Sequence, residues 1–277
     1  MTSRLPTYAI SHGGGPWPWI KHLMPIDWTP LETALTSIPA ELDEIPRAIL
    51  VVTAHWEAPV FTVQGSPTPP MIYDYGGFPP ETYEIEYPAP GDPAIADRVV
   101  ELLRDAGLPH DRDDARGFDH GTFVPLYVMF PDANVPVVQL SILQSFDPAL
   151  HLAAGRALAP LRDEGVLIVS SGLPSYHDLS AMGQASEAPS RTFDEWLTET
   201  MVETAGEERS GRLLHWDSAP AARSAHPRED HFMPLLVAVG AAEGEPGVRN
   251  YHEKGSLGGH TTSSAYRLGA PVGAPSR

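Results

Sequence analysis

Twelve histidines and no cysteine are spread over the 277 residues. Several of the histidines fall where an apolar run gives way to a loop. His12 follows Tyr8-Ala9-Ile10-Ser11 and opens Gly13-Gly14-Gly15-Pro16. His55 ends the clearest strand-like run, Ala48 to Thr53, and His177 lies a few residues past Leu167-Ile168-Val169-Ser170. Neutral imidazole binds Zn, Fe, Cu and Ni alike, so this ligand type points to a divalent ion without choosing it. Three imidazoles from three neighbouring strand ends could meet within the ~2.0–2.1 Å that a metal–nitrogen bond needs. A lone histidine at a strand end is more often a polar cap, so the argument rests on their coincidence. His120, in Gly117-Phe118-Asp119-His120-Gly121, and His231, in Asp230-His231-Phe232, add two more candidates. His22, His110, His151, His215, His226 and His252 read as surface residues, His226 and His260 being the hardest to place.

Elements that could position these groups are legible in the chain. The runs Tyr8–Ser11, Ala48–Thr53, Val135–Ile142 and Gly165–Ser170 are short, apolar on both faces and rich in β-branched residues, as strands covered by helices are. Asp92-Pro93 and Asp147-Pro148 each precede a helical apolar pattern, Asp to cap free N–H groups and Pro to suit the first turn. Gly107 and Gly165 stand just past the expected ends. Further helices are expected over Thr192–Ala205 and His231–Gly240. Strands alternating with helices predict a single α/β domain, a three-layer α/β/α fold on a mostly parallel or mixed sheet. Ligands of such folds collect beyond the strand carboxyl ends. The domain is expected over residues 1–268, with 269–277 as a flexible tail. The Pro- and Gly-rich stretch from Gly65 to Asp92 carries Tyr73, Tyr75, Phe78 and Tyr83 and reads as a packed loop region rather than a linker.

Composition excludes several classes of function. The balance of 18 Lys and Arg against 36 Asp and Glu gives a formal charge of -18, which repels phosphate backbones and anionic lipid. The lack of cysteine removes disulfides, thiolate metal sites and thiol nucleophiles. Neither a signal peptide nor a membrane-spanning run is seen, so a cytoplasmic protein is expected, with no nucleic-acid or membrane partner. Gly13-Gly14-Gly15 is followed by Pro, which matches neither a P-loop nor a dinucleotide fingerprint.

Taken in order, Ser11-His12-Gly13-Gly14-Gly15-Pro16, Thr53-Ala54-His55-Trp56, Gly76-Gly77-Phe78-Pro79, Tyr87-Pro88-Ala89-Pro90-Gly91, Gly117-Phe118-Asp119-His120-Gly121, Val137-Val138-Gln139-Leu140-Ser141, Ser171-Gly172, His177 and His231 with Pro234-Leu235 resemble the DOPA extradiol dioxygenase family, within the class III (LigB-like) ring-cleaving dioxygenases. That resemblance runs along nearly the whole chain. It implies a non-haem Fe(II) enzyme that opens a small, DOPA-like catechol with O2 next to its diol; Zn(II) could fill the same ligands. It implies His12, His55 and His231 as metal ligands, His177 as acid/base and His120 as a contact to substrate or oxygen. His226 precedes Pro227 in a polar stretch, whereas His231 leads into an apolar helical pattern that would anchor it, which favours His231 as the ligand. Glu229 and Asp230 could orient a ligand imidazole, or simply favour a helix N-terminus. Asp178 stands where Asn is common in the family, and Leu173-Pro174-Ser175-Tyr176 departs from the usual segment. Tyr73, Phe78, Trp17, Tyr176 and Gln139 are candidate substrate contacts. A zinc-dependent hydrolase, and a non-enzymatic metal-containing binding protein on the same fold, are the rival readings. The oligomeric state is not encoded in these motifs.

Overall fold

The computed structural model describes residues 4–255 and 259–270. Its strands are β1 (Thr7–Ser11), β2 (Ala48–Ala58), β3 (Phe61–Gln64), β4 (His110–Asp113), β5 (Val137–Leu143), β6 (Val166–Gly172), β7 (Gly247–Lys254) and β8 (Thr262–Leu268). Its helices are α1 (Trp17–Ile20), α2 (Thr29–Ser37), α3 (Pro93–Asp105), α4 (His120–Met129), α5 (Pro148–Leu158), α6 (Glu187–Glu203), α7 (Gly206–Leu214), α8 (Ala222–Ala225) and α9 (Met233–Ala241). The strands form one sheet in the order β4-β3-β5-β2-β6-β1-β8-β7. Its centre, β5, β2, β6 and β1, is parallel. Antiparallel pairing enters where β3 meets β5 and where β8 meets β1 and β7.

Alternation along β2 separates the two faces. Ala48, Leu50 and Val52 join a core with α3, α5, α6 and α9, while Ile49 and Val51 join one with α2 and α4. Three layers result, as the alternating pattern of strands and helices predicts.

Local chemistry accounts for the element ends. Asp92 Oδ1 accepts from the N–H groups of Ala94 and Ile95 at 3.0 and 3.1 Å, and Asp147 Oδ1 from Ala149 and Leu150 at 2.8 and 3.2 Å. Helix α6 starts at Glu187, five residues before the expected Thr192, because Pro189 lies in the first turn, where its missing N–H costs no helical bond. Helix α9 starts at Met233, so His231 precedes it instead of opening it. Strand β2 runs on past Thr53 to Ala58, and its register with β5 shifts between Val52 and Glu57. His55 therefore lies within a bulged strand, a device that re-aims a side chain. Of the tail, residues 271–277 lie outside the described residues, and the Gly269 N–H bonds Pro246 O at 2.9 Å. Among the described residues, no helix is long and apolar enough to cross a membrane.

Two histidines read as surface residues are core residues. His151 is fully buried; its Nδ1–H donates to Asp147 O at 2.7 Å and its Nε2 accepts from Leu143 N–H at 3.2 Å. His226 is equally buried, donates from Nε2 to Pro174 O at 3.0 Å, and packs against Phe193, Trp216 and Phe232. Burial pushes the two down to about 4 and about 3, so both are neutral in the folded protein near pH 7.

In the unfolded chain His151 takes a proton near pH 6.5, whereas the folded chain resists it until about 4. The unfolded state thus binds more protons across that window, and stability falls as pH drops through it, by roughly 1.4 kcal/mol per unit for this group. Melting curves between pH 7 and 4 are expected to show this slope, and His151→Gln, which takes up no proton in this range, is expected to flatten it. An unaltered slope in the variant would remove His151 as its source.

Candidate metal and substrate site

Parallel β1, β2 and β6 end on one rim, and the histidine-bearing segments converge there. The chain leaving β1 stays on the ladder for one more residue, with His12 N–H bonded to Gly172 O at 3.2 Å. Leu173, just past β6, bonds His231 O through its N–H at 3.2 Å. The end of β6 therefore ties His12 and His231 together through backbone alone. His12 O accepts from Trp17 Nε1 at 2.9 Å, and Trp17 stacks on Trp28 with ring centres 4.9 Å apart. Gly13 turns at φ +78°, and a Cβ there would lie 2.5 Å from Trp17 Nε1. Only glycine allows that turn and that approach.

Hydrogen bonds fix the tautomers. His12 Nδ1 lies 2.8 Å from Gly13 O, so it carries the proton and donates. His55 Nδ1 lies 3.1 Å from Asp74 Oδ2 and donates likewise. Both Nε2 atoms are left with lone pairs, yet they face each other at 3.2 Å. Two lone pairs at that distance repel unless a cation or a proton joins them. Two nitrogens held ~2.1 Å from one ion would stand about 3 Å apart, so this pair suits a shared divalent ion.

Asp74 binds two imidazoles at once. Besides His55, its Oδ1 accepts from His120 Nδ1 at 2.8 Å and from His120 N–H at 2.9 Å. On the other side His231 Nδ1 lies 3.1 Å from Asp230 Oδ2, and the His177 ring stacks on His231 with centres 3.3 Å apart. His177 Nδ1 is 3.9 Å from Asp230 Oδ1. Among the described residues, two sets bring their ligand atoms within 4.8 Å of one another: His12, His55 and His120, and His177, Asp230 and His231.

Charge states follow from this packing. Burial, reinforced by neighbouring imidazoles, holds His12 and His231 well below the usual histidine range. Burial also lowers His177, to about 4, although Asp230 opposes it. Burial would lower His55 too, but the hydrogen bond to Asp74 and the charges of Asp119, Asp74 and Asp230 outweigh it and raise the group. Burial would likewise raise Asp74, yet its bonds to His120 and His55 hold it well below the usual carboxylate range. The facing pair can thus carry one positive charge on the His55 side, where a divalent ion would compete with the proton.

A model of the catalytic LigB subunit of aromatic ring-opening dioxygenase matches residues 26–269. The chain belongs to the LigB-like class III extradiol dioxygenase family. Over 270 residues it is 41% identical to dioxygenase tasH of Hapsidospora irregularis, covering 90% of this chain and 82% of that one. It is 42% identical over 201 residues to the 4,5-DOPA dioxygenase extradiol of Beta vulgaris, covering 71% and 74%. Against the Escherichia coli K12 protein of the same name, identity is 37% over 248 residues, covering 88% of each. A solved structure, of an uncharacterized E. coli K12 protein, superposes with a TM-score of 0.76 at 30% identity, covering 96% of this chain and 100% of that one.

In this LigB-like chain a cavity of about 650 Å³ opens at the rim, and His12, His55, His120, His177, His231 and Phe78 line it. The other suggested substrate contacts lie outside its wall. Trp17 is buried as the peg beneath His12. Gln139 is buried and donates to Asp119 Oδ2 at 2.8 Å. Tyr176 spends its hydroxyl on Ala181 O and Tyr73 on Ile85 O, each at 2.7 Å. In their place Tyr75, Met24, Leu173, Leu179, Glu57 and Arg228 face the cavity. Asp74 is the polar residue that motif reading passed over. It stands between two tyrosines already marked as a packed loop, its side chain still 21% exposed, and only the two imidazoles it meets across the fold reveal its role.

Asp119 anchors the loop before α4. Buried, it accepts from Thr53 Oγ1 at 2.8 Å, from Gln139, and from Arg116 Nη2 at 3.0 Å. Gly121 then passes so close that a Cβ would lie 2.7 Å from both His55 Cδ2 and Thr53 Oγ1. Gly121→Ala is expected to displace the His55 ring, to cost ~1–3 kcal/mol of stability, and to weaken Zn(II) binding. Thermal melting and a Zn(II) titration check this; wild-type values in both would show that the ring has room to spare.

Proposed function

We propose that this chain is a non-haem Fe(II)-dependent extradiol dioxygenase that opens a catechol ring beside its diol. The observation that carries the proposal is the facing of two Nε2 atoms, those of His12 and His55, at 3.2 Å in the wall of the cavity. Their third partner is His231. With nitrogen ~2.1 Å from an ion, imidazole centres lie about 3.2 Å out, so a 90° angle separates two centres by roughly 4.6 Å. The His12–His55, His12–His231 and His55–His231 centres are 4.9, 5.3 and 5.0 Å apart, which suits three ligands on one face. His55 and His120 are only 3.9 Å apart, which suits a neighbour better than a fellow ligand.

When bound, ferrous iron would supply the electrons that O2 chemistry requires and favour a deprotonated catechol; zinc on the same imidazoles lacks the redox step. The chain's own residues do the rest. His177 is neutral at working pH and borders the cavity, so it can take the proton of a catechol hydroxyl. Asp230 beside it would stabilise the imidazolium that forms. His120, its Nδ1–H held by Asp74, offers Nε2 as an acceptor for the second hydroxyl. Tyr75 and Phe78, edge to face at 5.6 Å, form an aromatic wall for a planar ring. A cytoplasmic setting, where iron stays reduced, belongs to this reading.

Anaerobic Fe(II) loading followed by a catechol and air is expected to give oxygen uptake with a new yellow absorbance. His12→Ala is expected to lose the metal. His177→Ala is expected to keep it and lose turnover by ~100- to 10,000-fold. A fully iron-loaded protein that consumes no oxygen across a panel of catechols would end this proposal.

A further inference from the structure

The wall of the cavity divides by polarity. One end holds the imidazoles. The apolar part of the wall is built from Met24, Tyr75, Phe78, Leu173 and Leu179. Leu179 is 61% exposed, an uncommon state for a large apolar side chain, and it stands at the cavity mouth. The space, about 650 Å³, falls within the ~300–1,000 Å³ of pockets that take drug-sized ligands, and a bare catechol ring would fill only part of it.

Charge on the wall is already spoken for. Among the described residues that line the cavity, Arg228 is the one Lys or Arg, beside the carboxylates Glu57 and Asp230. Arg228 Nη1 and Nη2 donate to Glu57 Oε1 and Oε2 at 2.7 and 2.6 Å, and Nη1 also donates to Asp230 Oδ2 at 3.1 Å. The bidentate pairing is the strong geometry for a guanidinium. One cation against two acids leaves this patch net negative. A carboxylate brought by a ligand would share one guanidinium with two acids and meet their repulsion.

From this we infer that the site favours catechols with an apolar ring substituent over those whose substituent bears a carboxylate, with Glu57 and Arg228 as the charge filter and Leu179 and Met24 as the apolar seat. This deepens the proposal of catechol cleavage and rests on it. It departs from the amino-acid catechol in the names of several relatives, since DOPA carries a carboxylate and an ammonium group.

The test is equilibrium binding to the Zn(II)-loaded protein without oxygen, followed by tryptophan fluorescence or calorimetry. The probes are 4-propylcatechol, 3-(3,4-dihydroxyphenyl)propionate, dopamine and L-DOPA, which differ chiefly in tail charge. The propyl compound is expected to bind about tenfold or more tightly than the propionate and L-DOPA, a margin typical of pocket discrimination. Glu57→Gln, which strips Arg228 of its main partner, is expected to narrow the propyl-to-propionate ratio at least threefold. Leu179→Asn is expected to weaken the propyl compound more than unsubstituted catechol, and it serves alone should Glu57→Gln fail to fold. Binding of the propionate as tight as that of the propyl compound, or as that of dopamine, would overturn the inference, as would a ratio that neither variant moves. Oxygen uptake with the Fe(II) form is measured in parallel. Failure of every catechol to consume oxygen would sink the oxygenase reading, while the binding order would still decide this one.

Discussion

The facing lone pairs of His12 and His55 are the constraint around which this rim is arranged. Neutral imidazole has one donor and one acceptor nitrogen, so binding one nitrogen to an acceptor fixes what the other can do. Gly13 O takes the donor of His12, and Asp74 takes the donor of His55. Neither ring can turn its N–H inward without abandoning its acceptor. For His12 that is costly, because the carbonyl of buried Gly13, stripped of its donor, has no water to replace it. The result is a concave cluster of acceptors that wants a cation, built without a single charged ligand.

Sequence distance is overcome by sheet order. His12 and His177 follow β1 and β6 and His55 lies in the last part of β2, three strands that are consecutive in the sheet and parallel. His231 comes from the turn before α9, and α9 packs on the same central strands through the larger core. Backbone hydrogen bonds from Gly172 and Leu173 lock that turn and His12 to the end of β6. Such a frame places the imidazoles on regular elements and short turns, which hold geometry better than long loops. The bulge in β2 adds the last adjustment by re-aiming His55 away from the strict alternation of its strand.

The strand runs, the capped helices and the strand-end histidines were legible because each rests on local chemistry. Asp92 and Asp147 announce helix starts through their own side chains, and the apolar runs of β2, β5 and β6 need no partner to be read. What was not legible depends on contacts made across the fold. His151 sits in the first turn of α5, in a position that looks solvent-facing until the return of Leu143 N–H to its ring is seen. His226 lies in a polar stretch, yet Phe193, Trp216 and Phe232 close over it. Trp17 and Gln139 were marked by their nearness in sequence to site motifs. Both are supports instead, Trp17 under His12 five residues away and Gln139 beside Asp119 across the fold. Asp74 carried the opposite difficulty: its partners are 19 and 46 residues away, so no spacing pattern reports it.

Asp74 also bears on how an acidic protein could keep a site for the catecholate proposed above. A carboxylate bonded directly to an ion would cancel part of its charge and weaken its hold on a catecholate. Placed one imidazole further out, the same carboxylate orients His55 and makes its Nε2 a better donor, while the ion would keep three neutral ligands and its full charge. Asp230 stands in the corresponding place behind His231, 3.1 Å from Nδ1, and is in turn partly neutralised by Arg228. Toward His55 and His231 the carboxylates of Asp74 and Asp230 thus stand behind imidazoles, while the charge that does reach the cavity wall, Glu57 and Asp230, is gathered around Arg228.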